Sequence, residues 1–434
     1  MNLVSFRGTD PWPTRVATVA LFLVPALGGT VQSGYSYGAV MLLIAALLSL
    51  HRWPRASQSP WTWALALVFA FLAVYWYVLA PSADGWGRWD RTAKFVLGIV
   101  CLLFVARTAP RPRAQFWGLL VGCIGVGLVA LWQVHAEGEP RASGFPTGRT
   151  NAIQWGNLVL LLGTMLAVQT VALHAQLRKR WSALSAVAVV LALNASVLSG
   201  SRGGWLALVL LLPLGLYLLW RLHRPALWPA LLGGAGALAL VAALNHAVLS
   251  ERWEVMANEV RSYGSERVAD NSVGQRLEHW RFAWDAGMER PWLGWGMDGY
   301  LAVKAERVAA GQYQPAILEY IFVHNELLDM FVKAGIAGVL LLLLTYLVPL
   351  CMFWPSRARL AAYAGQPQAV RSQMLALRVA GACIPLLYAG FGLTQVYFAH
   401  NSGIMPYLFL TMVTWAALQG MDAQTRLAGA GPDR

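Results

Sequence analysis

Apolar runs of about 15 to 25 residues recur along most of this chain, and each matches the roughly 20 helical residues that cross about 30 Å of hydrocarbon. A chain built this way has few choices of fold. In lipid every backbone N–H and C=O must be paired internally, which leaves helices or a closed barrel. The runs are rich in Leu and Ala and lack alternation of period two, so helices are expected and a barrel is not. Charged residues make up only 12% of the chain and hydrophobic ones 58%, too little polar surface for a water-soluble protein of 434 residues.

The pattern predicts an all-α, polytopic membrane protein with twelve crossings, near 16–31, 36–50, 61–80, 93–106, 116–134, 155–175, 181–199, 204–221, 228–249, 325–352, 373–397 and 404–419. Three units follow: residues 1–249 with helices one to nine, a large helical loop over 250–324, and residues 325–434 with the last three helices and a cytoplasmic tail. The first run follows Arg7 and Arg15 like a signal peptide, but a second run begins almost at once, so it reads as an uncleaved helix with its amino end inside.

Charge gives an independent check on this topology. The loops that fall inside carry Arg52 and Arg55; Arg107, Arg111 and Arg113; Arg178, Lys179 and Arg180; Arg221 and Arg224; and Arg357, Arg359 and Arg371. The 250–324 loop falls on the opposite side and holds eight Lys or Arg against eleven Asp or Glu. The net charge of +13 is therefore a positive-inside bias and no nucleic-acid footprint. Trp53, Trp61, Trp86, Trp89, Trp181 and Trp228 stand at run ends, where indoles suit the headgroup zone. Cys101, Cys123, Cys351 and Cys383 lie in apolar runs as small hydrophobes, and no His or Cys spacing suggests a metal or cofactor.

Three positions carry chemistry. Arg202, in SRGGWLAL, sits between two apolar helices with almost no loop to take it into water, so it needs a partner: headgroups, a carboxylate or an anionic ligand. Gly200, Gly203 and Gly204 around it permit a tight reversal and close approach. In the outer loop, residues 246–264 read as an amphipathic helix and residues 273–288 as a second helix, with Leu277, Trp280 and Trp284 as its apolar seam. Arg276 precedes that seam, Arg281 lies on another face, and Arg290 follows nearby. His324 marks the return to the membrane, with an ordinary pKa of about 6.5 that allows proton transfer near neutrality. Beyond it, Glu326 is placed to meet first-turn backbone donors, and Asp329 and Lys333, four apart, are spaced for an internal ion pair.

SRGGWLAL, GQRLEHWRFAWDAGMERPWLGWG and HNELLDMFVKAGIAG together resemble the bacterial O-antigen ligase and polymerase superfamily, and the layout looks more like the ligase. The resemblance implies a helical bundle of the lipid-sugar glycosyltransferase (GT-C) type in the bacterial inner membrane, with its active site facing the periplasm. It implies Arg202, Arg276 and His324 as catalytic residues, the two arginines also binding substrate, with no cofactor and no metal. The implied reaction moves a preassembled glycan from undecaprenyl diphosphate to the lipid A core oligosaccharide, with membrane lipids as surroundings and no nucleic acid. Alternatives are an O-antigen polymerase, a protein O-oligosaccharyltransferase, or a lipid or glycan transporter, the last disfavoured because the charges gather on one face and no inverted repeat is visible.

Overall fold

The computed structural model describes residues 11–50, 59–80, 86–144, 151–222, 224–266 and 269–429. Arg7, Arg52, Trp53 and Arg55 lie outside the described residues. The described chain is helical from end to end: α1 (Trp12–Leu27), α2 (Tyr35–Leu48), α3 (Pro60–Leu79), α4 (Trp86–Val105), α5 (Arg113–Leu131), α6 (Ala152–Leu173), α7 (Lys179–Leu198), α8 (Arg202–Leu222) and α9 (Leu227–Leu244) come first. Three helices of mixed polarity follow, α10 (His246–Glu266), α11 (Ser272–Glu289) and α12 (Gly296–Ala309), and then α13 (Glu326–Phe353), the short α14 (Arg357–Ala361), α15 (Gln368–Gly392) and α16 (Asn401–Gly429).

Each of the twelve expected crossings overlaps one of these helices, but 228–249 runs past the end of α9 into α10 and 373–397 runs past the end of α15. Among the described residues, nine helices are long and apolar enough to cross a membrane, and α1 and α2 are shorter apolar helices. The protein is thus an all-α, multi-pass membrane protein. Its centre is α16, with 89% of its apolar window buried, and α6, with 72%; α8 and α9 form a peripheral hairpin with only 6% buried in each, a face left for lipid. Polar side chains tie the middle of the bundle: Gln115 donates to Thr414 at 2.5 Å and Gln169 to Gln115 at 2.7 Å, linking α5, α6 and α16 where an unpaired amide would be costly.

A second, smaller apolar core holds the segment between α10 and α13. Phe282, Ala283 and Ala286 of α11 pack with Met297, Tyr300 and Val303 of α12, and Val332 of α13 joins them. The buried stripe of α11 is Gly274, Glu278, His279, Phe282, Ala283, Ala286 and Gly287. This differs from the seam expected through Leu277, Trp280 and Trp284: Trp284 is 54% exposed. The stripe includes a carboxylate and an imidazole that find partners. Glu278 accepts from the Tyr263 hydroxyl at 2.7 Å and from Arg281 at 3.2 Å, and His279 Nε2 is 2.6 Å from the Tyr300 hydroxyl. Burial first, then Lys304, His324 and Lys333, push His279 down to about 2, so it packs as a neutral ring.

α13 is broken at Gly335 (φ 62°), and the 291–295 segment docks there through Trp295 N–H to Val332 O at 3.0 Å and Ile336 N–H to Pro291 O at 2.7 Å. One turn earlier, Lys333 Nζ meets Asp329 Oδ1 at 2.6 Å, both side chains almost wholly buried. The ammonium also faces the rings of Tyr300 and Phe322 and the Ile321 carbonyl, while Asp329 accepts from Val323 N–H at 3.0 Å. The pair therefore fixes the backbone just ahead of His324. Removing one partner strands the other charge, so Lys333→Met is expected to destabilise the protein by about 3 to 5 kcal/mol, and Asp329→Leu with Lys333→Met to recover much of it. Thermal unfolding in detergent measures both; equal loss in the double variant contradicts this account.

Candidate functional site

The site begins at the reversal between α7 and α8. Gly200 turns the chain with φ +67°, a region that L side chains rarely adopt, and Arg202 opens α8 two residues later. Close approach fixes the next two residues: a Cβ on Gly203 would stand 1.8 Å from Thr394 Oγ1, and one on Gly204 would stand 2.3 Å from Asn157 Oδ1. Ser201 Oγ donates to Asn157 Oδ1 at 2.5 Å, and the Asn157 amide donates to the Tyr397 hydroxyl. Tyr397 N–H and Phe398 N–H in turn donate to Glu326 at 2.6 and 3.2 Å. A buried line of hydrogen bonds thus joins the arginine turn to the start of α13. Glu326 serves this tertiary role and not the expected one on its own helix, whose first turn is capped by Asn325 accepting from Leu328 N–H at 3.1 Å.

His324 lies at the other end of the line, with φ 58°, a left-handed conformation that costs a non-glycine residue about 1 to 3 kcal/mol and clusters at functional sites. Both residues of the His-Asn pair grip the turn after α15: His324 Nδ1 is 2.8 Å from Gln395 Oε1, and Asn325 Nδ2 donates to Leu393 O at 3.1 Å. Gln395 Oε1 also accepts from Val396 N–H at 3.0 Å, and a backbone N–H can only donate. That atom is therefore the oxygen, His324 Nδ1 must carry the hydrogen, and Nε2 keeps its lone pair. The edge of Tyr320 closes one side, its ring centroid 4.8 Å from that of His324. Lys304 donates to the Tyr320 carbonyl at 2.6 Å, and burial followed by Lys333 pushes its ammonium down to about 8. For His324, burial outweighs the upward pull of the Gln395 hydrogen bond and of Asp329; Arg276 adds to the lowering, and the imidazole lies below its ordinary 6.5.

Arg276 stands in the first turns of α11, a helix capped by Asn271 accepting from Gly274 N–H at 2.8 Å. Its pKa is lowered by burial and then by Arg202, against opposing influence from Glu259 and Tyr320. Arg276 thus feels the charge of Arg202, and His324 that of Arg276, although the three are far apart in sequence. The two nearby arginines are engaged elsewhere: Arg281 pairs with Glu278 and Asp285, and Arg290 lies over Trp295 at 3.9 Å.

Arg141 and Arg252 also lie at the α7–α8 turn, and neither was expected from sequence. Arg141 Nε donates to Ser199 O at 2.8 Å, and the Arg252 guanidinium lies against Gly200, 2.7 to 2.9 Å from where a Cβ would stand. The Arg141 segment is held by Gln133, in a π-helical turn (Trp132–Ala136) that extends α5; its side chain bonds the backbone of Ser143 and Gly144. Among the described residues none of Arg141, Arg202, Arg252 and Arg276 is ion-paired with a carboxylate, and Arg202 Nη1 is buried without a hydrogen-bond partner. No cluster of His, Cys, Asp or Glu suited to a metal ion occurs among the described residues. Guanidinium groups without carboxylate partners suit an anionic ligand, and an imidazole with a free ring nitrogen can take a proton.

Fold and site together define a multi-pass membrane protein with several guanidinium groups, unpaired with carboxylates among the described residues, about the α7–α8 turn. Residues 187–343, which include Arg202, Arg276 and His324, match the O-antigen ligase family, and this match supports assignment of the chain to the O-antigen ligase and polymerase superfamily. An uncharacterized protein of Haemophilus influenzae is 27% identical over 346 residues, covering 77% of this chain and 83% of that protein.

The packing of α8 yields a test. Gly203→Ala forces Thr394 aside, with an expected loss of about 1 to 3 kcal/mol from overpacking, and Thr394→Ala in the same chain is expected to restore part of it. Thermal unfolding of the three variants measures this; an unperturbed Gly203→Ala would show that the approach is looser than described.

Proposed function

We propose that the protein is an O-antigen ligase of the GT-C glycosyltransferase type, transferring a preassembled glycan from undecaprenyl diphosphate to the lipid A core oligosaccharide at the periplasmic face of the inner membrane. The observation that carries this reading is that Arg276 feels the charge of Arg202, and His324 that of Arg276, while Gln395 holds His324 Nδ1 and leaves Nε2 available as a base. The family match and the multi-pass architecture support it at the level of ligase or polymerase.

In this reading Arg202 and Arg276 hold the donor diphosphate. The acceptor hydroxyl oxygen attacks the anomeric carbon, the bond from that carbon to the phosphate oxygen breaks, and undecaprenyl diphosphate leaves with the bonding pair. A single displacement inverts the anomeric configuration. Negative charge grows on the leaving diphosphate, where fixed guanidinium groups stabilise the transition state more than the ground state. His324 Nε2 takes the hydroxyl proton while its Nδ1–H stays on Gln395, which fixes the ring.

Single-turnover transfer from a defined undecaprenyl-diphosphate glycan tests the assignment. His324→Gln keeps hydrogen bonding but cannot carry the proton and is expected to lose about 100-fold or more. Arg202→Lys keeps the charge without the fork and should also lose most activity. Full turnover in both variants removes them from the mechanism. Transfer onto lipid A core supports the ligase; lengthening of undecaprenyl-linked glycan alone makes the protein a polymerase.

The pH dependence follows from the site. Protonated His324 cannot act as a base, so transfer falls as pH drops through its lowered pKa. Because Arg276 helps to hold that pKa down, Arg276→Gln should move the acid limb to higher pH as well as slow the reaction. A limb that stays in place, or moves to lower pH, contradicts the role of His324 as base.

A further inference from the structure

The two most exposed large apolar side chains among the described residues are Trp292, at 72%, and Leu293, at 75%. Neither belongs to a membrane-spanning helix. They lie between α11 and α12, in a stretch from Pro291 to Met297 without a charged residue, and Trp284 and Met288 at the adjoining end of α11 are exposed as well. The backbone fixes where this surface sits. Pro291 O accepts from Ile336 N–H at 2.7 Å and Trp292 O from Ala337 N–H at 3.4 Å, just past the Gly335 break in α13. A Cβ on Gly335 would stand 2.3 Å from the Trp292 carbonyl carbon, and one on Gly294 would stand 2.4 Å from that of Lys333, so the two backbones are in direct contact. The length of α13 then sets the level. Its 28 residues extend about 42 Å at 1.5 Å each, more than the roughly 30 Å of hydrocarbon. Counted back from Phe353, ahead of Arg357 and Arg359, the roughly 20 residues that cross begin near Ala334. The break and the segment docked on it therefore fall where the hydrocarbon ends, and from there the exposed side of α13 is apolar, with Ile336, Leu340, Leu343, Leu344 and Leu347.

We propose that Trp292 and Leu293 insert into the boundary between headgroups and acyl chains, so that the α11–α12 connection is a membrane anchor and not a solvent loop. Their surface is continuous with the lipid-facing side of α13, and an indole beside an aliphatic side chain suits that zone. Charge agrees with the placement. Arg290, the residue before Pro291, lies over the Trp295 ring at 3.9 Å with no carboxylate partner among the described residues, and its guanidinium complements lipid phosphates. The anchor stands at the carboxyl end of α11, whose first turns carry Arg276, so the bilayer itself holds that helix at a set height over the bundle.

Spin labels on the full-length protein measure the depth, in nanodiscs of phosphatidylethanolamine and phosphatidylglycerol. Cys351 and Cys383 are changed to Ala, Cys101 and Cys123 stay because they are buried, and this parent chain gives the labelling background. Leu293→Cys, Gln312→Cys and Leu340→Cys are then labelled singly, the second at an exposed polar position and the third on the lipid-facing side of α13. Collisions with dissolved oxygen and with a water-soluble nickel chelate report depth. The label at 293 is expected about 5 to 10 Å into the boundary between headgroups and acyl chains, with 312 in water and 340 deeper. Leu293 packs against little, so Leu293→Cys should melt with the parent; should it melt earlier, Trp292→Cys gives the same reading. A label at 292 or 293 that meets the nickel chelate as freely as one at 312 overturns the proposal. A label shielded from both reagents means that protein covers the segment, and overturns it too.

Discussion

The site depends on one buried line of hydrogen bonds, from Ser201 through Asn157 and Tyr397 to Glu326. It fixes the spacing between a turn crowded with positive charge and the residue that begins α13, two positions after His324. Each group on the line is buried, so a missing partner would leave a polar atom stranded in an apolar interior, at a cost of about 1 to 3 kcal/mol. That cost specifies a single arrangement. It also explains the glycines at 203 and 204, since only a close approach of α8 to α6 and to the 394–395 turn lets the line close.

Charge at this end of the bundle is handled in two ways. Below His324, Lys333 is neutralised by Asp329 and enclosed by Tyr300 and Phe322, and it serves the backbone. Around the Gly200 turn, four guanidinium groups are held near one another with no ion pair among the described residues. Like charges gathered in a poorly solvated place oppose folding unless an anion joins them. The first arrangement builds a frame; the second leaves an unmet electrostatic demand that a ligand can satisfy.

The helices were legible in the sequence because length and hydropathy alone constrain a lipid-embedded chain, and the expected crossings overlap helices. The Asp329–Lys333 pair was legible because i,i+4 spacing is local, and Arg202 stood out because two apolar runs left it nowhere to go, its Nη1 being buried without a hydrogen-bond partner. What was missed depends on tertiary partners. Arg141 follows an ordinary-looking apolar helix, and its place is set by Gln133 bonding back to Ser143 and Gly144. The buried face of α11 contains Glu278 and His279, so apolar periodicity pointed to the wrong stripe. Glu326 reads as a helix-start carboxylate until its acceptors' partners, Tyr397 and Phe398, are brought to it from after α15.

The shallow attachment of the α8–α9 hairpin has a consequence for selectivity. With so little of either helix covered by protein, the outer side of α8 and α9 is bounded by the bilayer and not by neighbouring helices. A wall of fluid lipid has no end stop, so under the proposed function a donor's lipid tail lying against these helices would meet nothing there that measures its length. Discrimination among donors would then belong to the headgroup.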